Sequence, residues 1–143
     1  MLSHPALVRR AFFSPRVSEP FVENFLAHSA PYEAYLWPMS MLRPFARAAD
    51  ILRQIVSPAK GHQQQGNNKK LLVLAGEVDA IVRTTVCRKL ATTYEVASVQ
   101  ELGHDTAHTG VQYIVVAGLG HHLQNDLGWE DGAQQLLEWY QQL

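Results

Sequence analysis

The chain has 143 residues, the length of one ordinary domain, and 47% of them are hydrophobic, which is enough to build a core. Twelve Lys and Arg residues against thirteen Asp and Glu give a formal net charge of -1, so charge gives no argument for a nucleic-acid or anionic-membrane partner. The single cysteine, Cys87, cannot form an internal disulfide, and no apolar run reaches the ~18 residues of a membrane span. We therefore expect a soluble, cytoplasmic protein that binds neither nucleic acid nor membrane.

Residues 1 to 57 are predicted to be a helical segment. Ser3 can cap a first short helix, which ends before Pro15, and Ser18 can cap a second helix. Pro44 is well placed to open a third helix, because its missing N–H is not needed there. The apolar residues of that third helix fall on one stripe: Phe45, Ala48, Ala49, Leu52, Ile55 and Val56. Residues 58 to 69 hold no large apolar side chain and predict an exposed, flexible linker.

Residues 70 to 143 follow a strand–helix–strand–helix pattern. The continuous apolar runs 71–75 and 111–116 predict strands buried on both faces, as in a parallel sheet. A helix over 80–92, with Val82, Val86 and Leu90 in line, and then a polar stretch over roughly 95–110 separate the strands. The last helix begins at about Glu130, and its predicted apolar face is Ala133, Leu136, Leu137, Tyr140 and Leu143. The pattern is typical of α/β architecture with parallel strands.

Two loops that each begin where a predicted strand ends contain the residue types of a catalytic site. Gly76 allows a sharp turn after the first strand, and Asp79 follows three residues later. Gly118 and Gly120 follow the second strand, with His121 and His122 next to them. A histidine held at that point can act as a general base at neutral pH. Ligands of open α/β sheets bind at the carboxyl ends of the strands, so these are the places to expect a site.

Each loop also has a simpler interpretation. Asp79 can be the N-cap of the helix that follows it, because Asp accepts well from the first N–H groups of a helix. The two histidines can be an exposed pair in a turn. Taken together, the loops favour a hydrogen bond between Asp79 and His121, in which the carboxylate fixes the imidazole tautomer and stabilises its charged form.

The arrangement of Leu-Leu-Val-Leu-Ala-Gly-Glu-Val-Asp at 71–79, a helix, a strand, Gly-Leu-Gly-His at 118–121 and a last amphipathic helix resembles the C-terminal part of the α/β-hydrolase superfamily. The resemblance covers residues 70 to 143 and implies a partial α/β-hydrolase fold, with Asp79 as the acid and His121 as the histidine of a catalytic triad. It further implies that residues 1 to 57 are a cap that precedes this segment. The residues of that cap expected to face substrate are Tyr32, Tyr35, Trp37, Met39 and Met41, for which packing between helices is the alternative.

The nucleophile that this family places on a G-x-S-x-G turn is missing from the sequence. None of the seven serines has glycine two residues away on both sides, and no glycine-rich oxyanion loop precedes the acid. The stretch 103–107, Gly-His-Asp-Thr-Ala, resembles an elbow with an aspartate nucleophile, but it follows the acid instead of preceding it, and an enlarged loop is the better interpretation. The resemblance therefore implies a truncated or inactive hydrolase.

Two functions follow from these residues. The first is an ester or acyl hydrolase, with a small ester-like substrate, that is active only when a second chain supplies the missing half. The alternative is a non-catalytic binding or interaction protein that self-associates through its exposed strand edges. We expect no cofactor and no metal, because the histidines lack the spacing of zinc ligands: His62, His104, His108, His121 and His122. Cys87 is expected to pack within a helix, away from both loops.

Overall fold

The structure is a computed structural model that describes residues 4–29, 46–56, 71–102 and 109–143. The described part has mixed helix and strand structure, with three helices first and a strand–helix–strand–helix unit after them. In chain order the elements are α1 (Pro5–Phe12), α2 (Glu19–Ala27), α3 (Ala48–Val56), β1 (Leu71–Gly76), α4 (Thr84–Leu102), β2 (Val111–Val116), a 3-10 turn (Leu123–Asn125) and α5 (Trp129–Tyr140).

The two strands form a parallel pair, as the sequence predicts. Their register runs from Leu71 opposite Val111 to Gly76 opposite Val116. The Tyr113 hydroxyl donates to the backbone carbonyl of Thr84 at 2.9 Å, so this side of β2 faces α4. Val116 instead approaches Gly132 of α5. Because residues 113 and 116 point to opposite faces of a strand, α4 and α5 cover opposite faces of the sheet.

The N-terminal helices α1 and α2 pack against each other. His4 caps α1 by accepting from the Ala6 N–H at 3.3 Å, with Pro5 in the first helical position. The predicted cap, Ser3, lies outside the described residues. Helix α2 begins directly after Ser18, as predicted. The buried residues of this cluster are Val8, Phe13, Val17 and Val22, and Phe12, Phe25 and Leu26 pack around them.

Helix α3 packs in a different place from α1 and α2. Its Ala49 and Leu52 are buried together with Ala97 of α4. Two residues of the predicted stripe therefore form its contact with α4. Pro44, the predicted start of this helix, lies outside the described residues, as does the predicted linker over 58–69.

Helix α4 differs from its prediction in length and in the face that it buries. It begins at Thr84 and ends at Leu102, so it occupies much of the predicted polar stretch. Its buried residues are Ala91, Ala97 and Ser98, whereas Val86 and Leu90 of the predicted face are 55% and 48% exposed. Small side chains let the helix backbone approach its neighbours closely, and periodicity of large apolar residues does not identify such a face.

The strands and α5 are less buried than the sequence predicts. Only Ala75 and Gly76 of β1 and Val116 of β2 are buried, and the other strand residues are partly or largely exposed. Within the described residues each strand has one neighbouring strand, so one edge of each strand is open. Most of the predicted apolar face of α5 is exposed: Leu136, Leu137, Tyr140 and Leu143. No helix in the described part of the chain combines the length and the apolar character that crossing a membrane requires.

Candidate functional site

The loops after β1 and β2 are joined to each other at the carboxyl ends of the strands. The Glu77 N–H donates to the Val116 carbonyl, and the Val78 N–H donates to the Leu119 carbonyl, both at 3.0 Å. The Gly118 N–H in turn donates to Glu77 Oε2 at 2.8 Å. These bonds continue the pairing of the strands into the loops and hold the two loops side by side.

Two glycines permit this close approach. A Cβ on Gly76 would lie 2.3 Å from the Gly120 carbonyl oxygen, a distance that no side chain could accept without a shift of the backbone. Gly118 has φ of 67°, in the left-handed region that favours glycine. The sequence argument expected a sharp turn at Gly76, but Gly76 is the last residue of β1 and glycine is required there by the close approach of the histidine loop. At Gly118 the expected unusual dihedral is present.

The structure brings Asp79 and His121 into contact. His121 Nδ1 lies 2.9 Å from Asp79 Oδ2. The Asp79 side chain is almost buried, at 7% exposure, whereas the His121 side chain is 33% exposed. The hydrogen bond predicted from the sequence is thus present, and the imidazole remains accessible. The roles of these residues in catalysis stay a prediction.

Asp79 also serves part of the capping role that was its alternative interpretation. Its Oδ1 accepts from the backbone N–H groups of Ile81 and Val82, each at 2.8 Å. Helix α4 begins only at Thr84, so Asp79 stabilises the turn before the helix and is not the N-cap of the helix itself. Its two oxygens therefore have separate partners, one in the local turn and one in the histidine loop.

The geometry determines which nitrogen of His121 can take a proton. When Nδ1 donates to the carboxylate, Nε2 is the nitrogen left to accept a proton from a reacting group. The ring of Phe12 lies 5.9 Å from the His121 ring, centroid to centroid, and packs beside it. The pair can therefore act as an oriented general base with an apolar wall on one side.

His122 has a different environment from His121. Its ring packs among the rings of Phe12, Phe13 and Phe25, with the Phe25 centroid 5.1 Å away. Its backbone N–H donates to the Phe12 carbonyl at 2.7 Å. Burial lowers the pKa of His122, and the neighbouring His121 lowers it further. The adjacent histidines thus divide into one that meets the acid and one that anchors the N-terminal helices.

Sequence reasoning missed a third residue of this region, Asp126. It is 2% exposed and accepts hydrogen bonds from Ser14, Gly120 and Leu127. The sequence signal for it is weak, because an acid shortly before a helix is ordinarily read as a cap. Arg16 reinforces the same region, since its Nη2 donates to the Gly118 carbonyl at 3.2 Å and to the Leu127 carbonyl at 2.8 Å.

Cys87 lies closer to the acid loop than the sequence predicts. Its thiol lies 3.8 Å from the carbonyl oxygen of Val82, whose N–H donates to Asp79. Partial burial raises the pKa of the thiol, and the negative charge of Asp79 raises it further. The described residues contain no group of three or more side chains able to hold a metal ion. The remaining sequence candidates lie outside the described residues: Tyr32, Tyr35, Trp37, Met39, Met41, His62, His104, His108 and the stretch 103–107.

A cleft of about 330 Å³ lies between the start of α2 and the start of α5. Phe21, Leu127 and Trp129 line it, together with Asp126. Neither Asp79 nor His121 lines this cleft. The candidate site is therefore the accessible edge of the sheet at the two loops, and the cleft is separate from it.

Comparison of the chain with protein-family models, with curated proteins and with solved structures gave no match.

Proposed function

We propose that residues 70 to 143 are the closing segment of an α/β-hydrolase of the ester or acyl type. The observation that carries this proposal is the 2.9 Å contact between Asp79 and His121 at the carboxyl ends of two parallel strands. In the triad mechanism, an acid orients the histidine, and the histidine takes the proton of the attacking nucleophile. Asp79 would have the first role and His121 the second.

We also propose that the chain alone is not a complete catalyst. The 143 residues contain no G-x-S-x-G turn, so a serine and its oxyanion donors have to come from another polypeptide segment. Without those groups an oriented imidazole gives little rate enhancement, because nucleophile and oxyanion stabilisation supply most of it. The substrate of the completed site would be a small ester or acyl compound.

A first experiment measures hydrolysis of a short-chain aryl ester by the purified chain and by His121→Ala. We expect no difference between the two above the buffer rate. Turnover that His121→Ala abolishes would show that the chain contains its own nucleophile, and the incomplete-site proposal would be wrong.

A second experiment places the whole chain in an α/β-hydrolase esterase, in exchange for its own cap and closing segment, because Phe12 and Ser14 of the N-terminal helices hold the histidine loop. We expect the folded chimera to hydrolyse the aryl ester, Asp79→Asn to lower kcat by about 10⁴-fold, and His121→Ala to lower it at least as far. Glu138→Gln, an exposed change on α5, is the matched control and should leave the rate unchanged. A folded chimera without activity would contradict the proposal.

Exposed apolar side chains support a second candidate, a non-catalytic interaction protein. Both helices that cover the sheet present large apolar residues to solvent, and these include Val86, Leu90, Leu136, Leu137 and Tyr140. Surfaces of this kind mark protein interaction sites. Light scattering after size exclusion, over a range of concentrations, tests this candidate. A compact monomer that binds no hydrophobic dye would argue against it.

A further inference from the structure

Asp126 is a buried carboxylate whose two oxygens each accept two hydrogen bonds. Oδ2 accepts from the Ser14 N–H at 2.6 Å and from the Gly120 N–H at 2.7 Å. Oδ1 accepts from the Ser14 hydroxyl at 2.6 Å and from the Leu127 N–H at 2.7 Å. Three of the four donors are backbone N–H groups, which can only donate, so the arrangement suits a charged carboxylate.

These bonds join two parts of the chain that are far apart in sequence. Ser14 lies in the turn between α1 and α2, and Gly120 is the residue directly before His121. A buried charge is costly unless it is fully hydrogen-bonded, so all of these groups are expected to hold their places together. Asp126 therefore connects the position of the histidine loop to the position of the α1–α2 turn.

The histidine loop and the α1–α2 turn, which Asp126 joins, pack closely against each other. A Cβ on Gly120 would lie 2.6 Å from the Phe13 carbonyl carbon and 2.9 Å from the Ser14 nitrogen. On the other side of His121, the His122 N–H donates to the Phe12 carbonyl. The turn from Phe12 to Ser14 thus runs directly along residues 120 to 122, and His121 is held between two anchored neighbours.

We propose that Asp126 is a positioning residue for His121. By accepting from both Gly120 and Ser14, it fixes the histidine loop so that the imidazole meets the Asp79 carboxylate. Asp126 touches neither the imidazole nor a reacting atom in this arrangement. An effect of Asp126 on catalysis rests on the proposed function. Its effect on the position of the His121 ring does not, and can be measured without an activity assay.

The test is ¹⁵N NMR of the histidine rings in the whole chain, with variants at three acids. Asp79→Asn shows the ring signals of His121 when the carboxylate is lost. In Asp126→Asn, a side-chain NH₂ replaces one acceptor oxygen, so either the N–H groups of Ser14 and Gly120 or the N–H group of Leu127 lose their acceptor. The negative charge that strengthens all four hydrogen bonds is lost as well. We expect the Nδ1–H tautomer of His121 to decrease toward the level of Asp79→Asn. Asp131→Asn, an exposed acid in the first turn of α5, is the control and should leave the ring signals unchanged.

Ser14→Ala keeps the test decisive should Asp126→Asn fail to fold. It removes one of the four bonds, and loss of one hydrogen bond should accelerate amide exchange of Gly120 by about two- to tenfold. We also expect a smaller shift of the His121 ring signals in the same direction. Folded variants of both kinds with His121 signals identical to wild type would overturn the proposal.

The outcome is separable from that of the proposed function. Altered His121 tautomers in Asp126→Asn, together with an inactive folded chimera, would support the positioning role and reject the hydrolase role. Unaltered His121 tautomers together with an active chimera would reject the positioning role and support the hydrolase role.

Discussion

Asp79 combines two interactions that sequence reasoning treats as alternatives. One oxygen accepts from the backbone of the turn at residues 81 and 82, and the other meets His121. The two N–H groups of the turn hold the carboxylate in the orientation in which its second oxygen meets His121. Local capping is therefore a cause of the orientation of Asp79 and does not compete with its contact to His121.

Substitutions of Asp79 should separate these interactions. Asp79→Asn retains an oxygen for the two backbone donors but loses the charge, whereas Asp79→Ala loses both. We expect Asp79→Ala to lower the free energy of unfolding by about 1 kcal/mol more than Asp79→Asn does. Urea unfolding of the two variants measures this difference. Equal destabilisation would show that the turn does not depend on the side-chain oxygen.

The environment of His122 gives the fold a pH dependence. Burial among Phe12, Phe13 and Phe25 disfavours its charged form, as does His121, and the Asn125 amide nitrogen lies 2.8 Å from its Nδ1. Because the folded pKa is below the unfolded value, the unfolded state binds more protons in this range. The stabilisation is therefore complete above the unfolded pKa of about 6.5 and is lost as the pH falls through and below that value.

A phenylalanine at position 122 should remove this dependence while keeping the ring packing. We expect Tm of the wild type to fall more steeply than Tm of His122→Phe between pH 7 and pH 5. Thermal unfolding followed by circular dichroism at several pH values measures both slopes. Parallel curves would show that another group accounts for the acid sensitivity.

Local sequence patterns predicted Asp79 and His121 but not Asp126. Asp79 and His121 each follow a strand within a few residues, so a local pattern locates them and the parallel sheet brings them together. The partner of Asp126 is Ser14, 112 positions away, in a helical hairpin whose docking no local pattern specifies. Residues whose role depends on such packing are not visible in one sequence.

At the scale of elements, the close contact between the β1 and β2 loops depends on glycine. A methyl group on Gly76 would meet backbone atoms of Leu119 and Gly120, which cannot move aside as a flexible side chain can. The same addition to Gly132 would meet side-chain atoms at 3.8 and 3.9 Å, which is ordinary van der Waals contact.

Alanine should therefore destabilise the protein at position 76 but not at position 132. Gly76→Ala is expected to destabilise the protein by more than about 1 kcal/mol, because it forces the loops apart. Gly132→Ala, within α5, is expected to be neutral or to stabilise by up to about 1 kcal/mol, since alanine is the better helix former. Denaturant midpoints measure both. A stable Gly76→Ala variant with an intact contact between Asp79 and His121 would contradict this account.

The helices show where the sequence pattern succeeded and where it did not. Helix α2 begins directly after Ser18, although the Ser18 side chain makes no capping hydrogen bond, and two residues of the predicted apolar stripe of α3 are buried. Helix α4 packs through Ala91, Ala97 and Ser98 instead of its large apolar residues. Which face of such a helix is buried depends on neighbours, so periodicity alone could not identify it.

At the scale of the whole molecule, the parallel strand–helix–strand unit was predictable, and the extent of its burial was not. Continuous apolar runs predict strands covered on both faces, but a sheet of two described strands leaves open edges and half-covered helices. The strands and helices thus contain more large apolar residues than the described contacts bury. A larger sheet or a partner surface would account for that excess, in line with both candidate functions.

Exposed apolar residues on α4 should govern association without governing stability. Val86→Lys together with Leu90→Lys is expected to reduce dye binding and self-association while changing the free energy of unfolding by less than about 1 kcal/mol. Leu52→Ala, at a position 3% exposed, should instead cost about 2–5 kcal/mol. Light scattering and urea unfolding distinguish the two effects. Association that persists in the double variant would exclude this face of α4.

The long span between Ser14 and Asp126 has a consequence for synthesis of the protein on the ribosome. The N-terminal helices emerge first, yet the carboxylate that fastens their connecting turn follows 112 residues later. At about 5–20 residues per second, translation of that interval takes roughly 6–22 s. During this time the nascent hairpin lacks its anchor, and the histidine loop can acquire its final shape only after Asp126 has been made.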